Sequence, residues 1–302
     1  MSTENPTSGR TGRVLWAVLA VVLGALVLSA VAFTLRAQPA VQEFLVRYPG
    51  VITPTPDAPT GIPVWLNVTH FLNILFLMLI IRTALSIRSK KRPPAFITPR
   101  RGLLGQPPRR IGINVWLHNT VDLLWMLNGV IYVVLLFTTG QWVRIVPTTW
   151  DVIPNALSAA IHYLTFTWPV ENPWVVYNSL QVLSYFGVVF VLAPLAILTG
   201  VRLSSAWPLD AARLNRVLPE RLIRLLHNIV LFAFMAFIVV HVSLVLFTGA
   251  VLNLNVMFAA RDDLSLVGTI IFVAALAGLT GVWFALTDSV QKRLARLTGK
   301  VT

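Results

Sequence analysis

Four histidines carry most of the chemistry this chain can offer. His70, His118, His227 and His241 fall within apolar stretches, and the chain has no cysteine. That absence removes disulfides, thiolate metal sites, iron–sulfur clusters and C-x-x-C-H haem attachment. An ionisable side chain at membrane depth is costly enough to need a reason. One such histidine is readily a hydrogen-bonded structural residue; four call for a shared cause. His241 follows His227 by 14 residues. In a helix that spacing gives about 21 Å of rise and leaves the two rings within roughly 40° of one face.

The elements that must position them are membrane helices. Of 302 residues, 56% are hydrophobic and 12% charged, against roughly a quarter charged in soluble domains. Six apolar runs reach the length of about 20 residues that a hydrocarbon core demands, near 14–34, 64–87, 113–137, 177–200, 225–250 and 265–287. Lys and Arg collect in cytoplasmic loops. Segments 82–110, 201–224, the C-terminal tail and the N-terminus hold 20 of them, and the other side keeps 4, Arg36, Arg47, Arg144 and Arg261. Both termini are therefore placed in the cytoplasm, in a multi-pass protein of the cell membrane. The first run is read as a retained helix in preference to a cleaved signal peptide, because its apolar stretch is long for one. The net charge of +13 then records orientation, and no aromatic-interleaved basic domain points to nucleic acid.

Sidedness sorts the histidines by depth. His70 and His241 form an outer pair; His118 and His227 form an inner pair near the cytoplasmic ends of their helices. Two imidazole pairs at different depths match bis-histidine ligation of two b-type haems. Zinc fits less well, since each depth offers two histidines without a nearby carboxylate cluster. Gly129, Gly187, Gly200 and Ala236 offer room for a macrocycle. Arg109, Arg110, Arg221 and Arg224 flank the inner pair and could bond haem propionates, although orientation already explains them. Asp122, one turn beyond His118, could relay a proton, tune the inner haem or make a structural polar contact. Asn67, Asn73, Asn114, Asn119, Asn128 and Gln181 read as helix–helix hydrogen-bonding groups. His162 reads as an interfacial side chain, Asp262 and Asp263 as a solvated loop. The aromatic segment 138–176 reads as an interfacial belt, in which NALSAAIHYLTF could form a short helix.

The distribution of ligands over helices is the specific signal. The cytochrome b of quinol:cytochrome c reductases and ferric-reductase-like domains carry two ligands on each of two helices; here one helix carries two and two others carry one each. WLNVTHFLNILFLMLI (65–80), WLHNTVDLLWMLNGVIYVVLL (116–136), YNSLQVLSYFGVVFVLAPLAILTGVRLS (177–204) and RLIRLLHNIVLFAFMAFIVVHVSLVLF (221–247) follow in that order. The layout and strings resemble the cytochrome b membrane subunit family of nickel–iron hydrogenase, formate dehydrogenase gamma subunit and thiosulfate reductase, over about 64–250. The resemblance implies a four-helix dihaem core in which the first and last histidines hold one haem and the middle two the other. One departure is that a further helix precedes the core, and charge places the middle-ligand pair on the cytoplasmic side.

The expected architecture is an all-α integral membrane protein of six transmembrane helices with a four-helix dihaem core. Its parts are 1–63 (tail, first helix and outer loop), 64–250 (core) and 251–302 (outer loop, sixth helix and basic tail). The resemblance implies electron transfer between a quinone pool and a separate catalytic or electron-carrier subunit, a molybdenum-dependent or iron–sulfur enzyme or a hydrogenase, with lipid around the helices. The alternatives are a cofactor-free six-helix transporter and a stand-alone transmembrane reductase with a soluble donor. A bare scaffold gives no reason for histidines at matched depths.

Overall fold

The computed structural model describes residues 6–53, 58–89, 92–102, 105–168, 172–208 and 210–302. Lys90 and Lys91, and the side chains of Arg10 and Arg13, lie outside the described residues. The helices run α1 (Pro6–Arg36), α2 (Pro39–Arg47), α3 (Val64–Arg88), α4 (Ile113–Thr138), α5 (Val152–Leu164), α6 (Ser179–Phe186), α7 (Ala193–Leu203), α8 (Ala212–Val217), α9 (Glu220–Phe247), α10 (Ala250–Ala259), α11 (Val267–Ala285) and α12 (Asp288–Arg296). A π-helical stretch, Gly187–Leu192, joins α6 to α7. Six stretches are long and apolar enough to cross a membrane: Leu15–Arg36, Val64–Arg88, Ile113–Thr138, Ser179–Leu203, Glu220–Phe247 and Val267–Ala285. The protein is thus a largely helical, multi-pass membrane protein. Their exposed faces are apolar, as lipid requires, for example Val130, Val134 and Phe137 on α4 and Val239 and Phe247 on α9.

The chain forms two compact units. The first comprises residues 1–56, 144–172 and 176–184. Here Ser29 Oγ donates to the Leu164 carbonyl at 2.7 Å, tying α1 to α5. Asn178 and Gln181 exchange bonds: each side-chain oxygen accepts from the other's backbone N–H, at 2.9 and 3.0 Å. This reciprocal cap starts α6, so the Gln181 side-chain oxygen closes its own helix. The NALSAAIHYLTF segment lies largely in α5, whose Ile153 and Leu157 are exposed.

The second unit comprises residues 57–143, 173–175 and 185–302. α3 and α4 pack around Leu79, Ile113, Trp116, Leu117 and Val121. Asn128 Nδ2 crosses between them to the Thr69 carbonyl at 3.0 Å and to Asn73 Oδ1 at 3.1 Å. α10 meets α3 through Asn67 Nδ2 and the Val256 carbonyl, 3.0 Å. α10 also closes on α11 so tightly that a Cβ on Gly268 would lie 2.4 Å from the Leu254 carbonyl oxygen; only glycine fits that approach.

One element departs from the all-helical expectation. Packed with α3 and α4 around a cluster that joins Ile97 to Leu79 and Trp116 lies a three-stranded antiparallel sheet of β1 (Phe96–Pro99), β2 (Ile111–Gly112) and β3 (Gly299–Val301), ordered β2-β1-β3. Ile97 pairs with both Ile111 and Val301 and is fully buried. A Cβ on Gly299 would stand 2.4 Å from the Thr98 carbonyl oxygen. The basic loop 82–110 is therefore partly structured, pinned by the chain's C-terminal residues.

Candidate functional site

Three helices of the second unit, α3, α4 and α9, bring the histidines together two by two. His70, on the second turn of α3, faces His241 on α9, with ring centroids 6.3 Å apart. His118, on the second turn of α4, faces His227 on α9, also at 6.3 Å. Two imidazoles bound to one metal through facing nitrogens, each about 2 Å away, would stand with centroids roughly 6 Å apart. The spacing in both pairs is that of rings able to share one ion. Among the described residues no group of three or more His, Asp and Glu side chains could hold a metal ion, so each pair would supply two imidazole donors to a group that brings its remaining ligands with it.

The surroundings of the pairs differ. His118 Nδ1 lies 2.8 Å from Thr83 Oγ1 on α3, and His227 Nδ1 lies 2.9 Å from Thr199 Oγ1 on α7. Both hydroxyls also donate to carbonyls one turn back in their own helices, Thr83 to Leu79 at 2.9 Å and Thr199 to Leu195 at 2.6 Å. Asp122 Oδ2 stands 3.6 Å from His118 Nε2. Around the other pair the contacts are rings. Phe237 stacks on His241 at 5.4 Å, while Tyr185 meets His241 and Phe258 meets His70 edge-on, each at 6.1 Å. His70 Nδ1 is buried and bonds to no group among the described residues.

Room for a planar cofactor is present. A Cβ added at Gly129 or Gly187 would meet nothing within 4 Å, and one at Gly200 would meet only His227 Cε1, at 3.6 Å. The ligand type, the spacing and these open glycines all fit haem.

A model of the prokaryotic cytochrome b561 family matches residues 61–260. The chain belongs to that family. No curated protein and no solved structure matches it. The match covers all four paired histidines and is consistent with the cytochrome b membrane subunits that the sequence resembles. Membership makes this a membrane cytochrome of the b type whose work is electron transfer, and it implies b-type haem as the cofactor.

The remaining candidates of this cytochrome b561 are placed as follows. Arg109 Nη2 donates to the Trp207 carbonyl at 3.3 Å, and the Arg110 guanidinium lies over the Phe96 ring at 4.0 Å. Arg221 is exposed, and Arg224 is exposed and paired with Glu220 on its own helix. Arg202, absent from the sequence reading, is 9% exposed, donates from Nε to the Leu218 carbonyl and lies over Trp207 at 4.9 Å. Its place three residues beyond Thr199 is the signal that could have found it. In the other unit, His162 is held below the usual histidine range by partial burial and by Arg36. Asp263 is more than solvated loop. Ser265 donates from its hydroxyl and backbone, Arg261 adds a charged bond, and together they pull the carboxyl down to about 2. Asn255 Nδ2 also donates to Asp263 Oδ1, at 2.8 Å. The cluster clips α10 to α11.

Proposed function

We propose that this protein is a dihaem b-type cytochrome that carries electrons across the membrane between a quinone pool and a partner oxidoreductase subunit. The observation that carries this reading is the pair of facing imidazole sets at one common spacing, 6.3 Å, set about 21 Å apart along α9. His70 and His241 would hold one haem, His118 and His227 the other. Haem iron supplies reversible one-electron chemistry when bound. The chain fixes the depth of each ligand pair, shields it with apolar helices and sets its surroundings. Asp122 sits where it can pass a proton at the edge of the His118–His227 pair or bias it electrostatically. Arg109, Arg110, Arg221 and Arg224 remain candidates for bonding propionates, with Arg202 added for its burial. The excess of Lys and Arg supports a cytoplasmic position for the His118–His227 end and for both termini. The partner, by family resemblance, is a molybdenum-dependent or iron–sulfur enzyme or a hydrogenase.

The test is a pyridine haemochrome count and a reduced-minus-oxidised spectrum on purified protein. Two b haems per chain are expected. Absence of haem would overturn the reading and leave a cofactor-free transporter. Two haems in a protein that is reduced directly by a soluble donor, and not by a quinol, would favour a stand-alone reductase.

A further inference from the structure

Thr83 and Thr199 stand in matching positions on different helices, and neither is needed to complete its own helix. Each hydroxyl has one hydrogen and two acceptor sites. In Thr83 the hydrogen goes to the Leu79 and Ile80 carbonyls, both at 2.9 Å; in Thr199 it goes to Leu195 at 2.6 Å. What each oxygen has left to offer an imidazole is a lone pair. We infer that the facing Nδ1 atoms of His118 and His227, at 2.8 and 2.9 Å, are the donors. A neutral imidazole with its hydrogen on Nδ1 has a bare lone pair on Nε2, and Nε2 is the atom left to bind iron. Each threonine thus links a helix carbonyl to a ligand ring and favours the tautomer with a free Nε2 lone pair, at His118 in competition with the Asp122 carboxylate 3.6 Å from Nε2.

Among the described residues His70 has no such backing. His70 Nδ1 is buried without a partner among the described residues, and the contacts around His70 and His241 are aromatic faces and edges. An acceptor on Nδ1–H pushes electron density into the ring and makes Nε2 a stronger donor to metal. A stronger donor favours ferric over ferrous iron.

We propose that Thr83 and Thr199 are positioning residues that fix the tautomer of His118 and His227 and hold the haem of that pair at a lower reduction potential than the haem of His70 and His241. The proposal rests on the dihaem reading. It makes the two centres unequal by construction, with electrons running downhill from the threonine-backed pair toward the aromatic-walled pair.

The experiment uses the full-length protein in detergent or nanodiscs. Thr83→Val and Thr199→Val remove the hydroxyl while keeping the branched shape; Thr83→Ser and Thr199→Ser keep the hydroxyl. Haem count, the two midpoint potentials from optical titration and the low-spin electron paramagnetic resonance signals are read on each. In the valine variants the lower potential is expected to rise toward the other, with a changed signal for that haem alone. Retention of that haem should weaken roughly 10–100-fold, the usual cost of losing such a partner. The serine variants should match the wild type. Two haems with unmoved potentials and signals in both valine variants would overturn the proposal, and so would serine variants that shift as far as valine. If a valine variant loses the haem altogether, retention in its serine counterpart supports the role of the hydroxyl and loss in both refutes it. Fewer than two haems in the wild type would instead refute the dihaem reading.

Discussion

The two histidine pairs share a spacing and differ in nearly everything around them. At one end of α9 the rings are held by hydroxyls that are themselves tied to helix carbonyls; at the other they are walled by Phe237, Tyr185 and Phe258. A polar backing fixes a ring by a directional bond. An aromatic wall fixes it by shape, and His70 Nδ1 there has no bonded partner among the described residues. The difference teaches that equal ligands at equal separation need not make equal sites. On the dihaem reading proposed above, this contrast sets two one-electron centres apart without changing a ligand.

The largest test of that contrast is His241→Ala, which should abolish the haem of the aromatic-walled pair and leave the spectrum of the threonine-backed one. Loss of both haems, or of neither, would break the assignment of separate sites. Gly200→Leu should act at the opposite end. A Cβ there already reaches van der Waals contact with His227 at 3.6 Å, so a larger side chain must displace the ring, whereas Gly200→Ala should be tolerated. Haem content after purification reads both. Phe237→Ala removes the ring stacked on His241 and should lower thermal stability by about 0.5–1.5 kcal/mol beyond the lost burial of the side chain, with the threonine-backed signal unchanged.

The smallest effect is expected from Asp263→Asn. Asp263 clips α10, which carries Phe258, to α11. Its carboxyl is held down to about 2 from an ordinary 3.8. A depressed acid contributes stability that is complete above about pH 4 and lost as pH falls through 2. The melting-temperature difference between wild type and variant should therefore stay constant from pH 5 to 8, with any spectral change confined to the aromatic-walled haem. A difference that grows across neutral pH would disprove the clip as described.

The six spans were legible because lipid imposes a length and a composition that few other pressures imitate. Side-by-side placement of His227 with His118 and His241 with His70 was within reach of helix arithmetic. The threonines were not singled out, since a threonine in a membrane helix ordinarily bonds the carbonyl one turn back, as these two do. Their second bond is a tertiary fact. A hint was available: Thr199 follows Tyr185 by the same 14 residues that separate His227 from His241, so an antiparallel neighbour brings both to the histidine levels. The sheet was invisible for another reason. Strands of two to four residues have no measurable alternation, and β1 meets β3 across about two-thirds of the chain. The reading of Gln181 as a helix–helix group missed that Asn178 stands three residues before it, the spacing of a reciprocal cap.

The π-helical stretch ahead of Pro194 gives the two sites a further independence. Proline has no N–H to return to the preceding turn, and the chain answers with a wider loop, Ala193 N–H bonding the Val188 carbonyl. Such a turn is what a one-residue insertion leaves in a helix. Removing one residue between 187 and 192 would restore the ordinary winding but rotate everything before it by about 100°, carrying Tyr185 away from His241 while Thr199 stayed at His227. The turn works like a swivel in a shaft, and mutation can re-aim the aromatic end without disturbing the hydroxyl end.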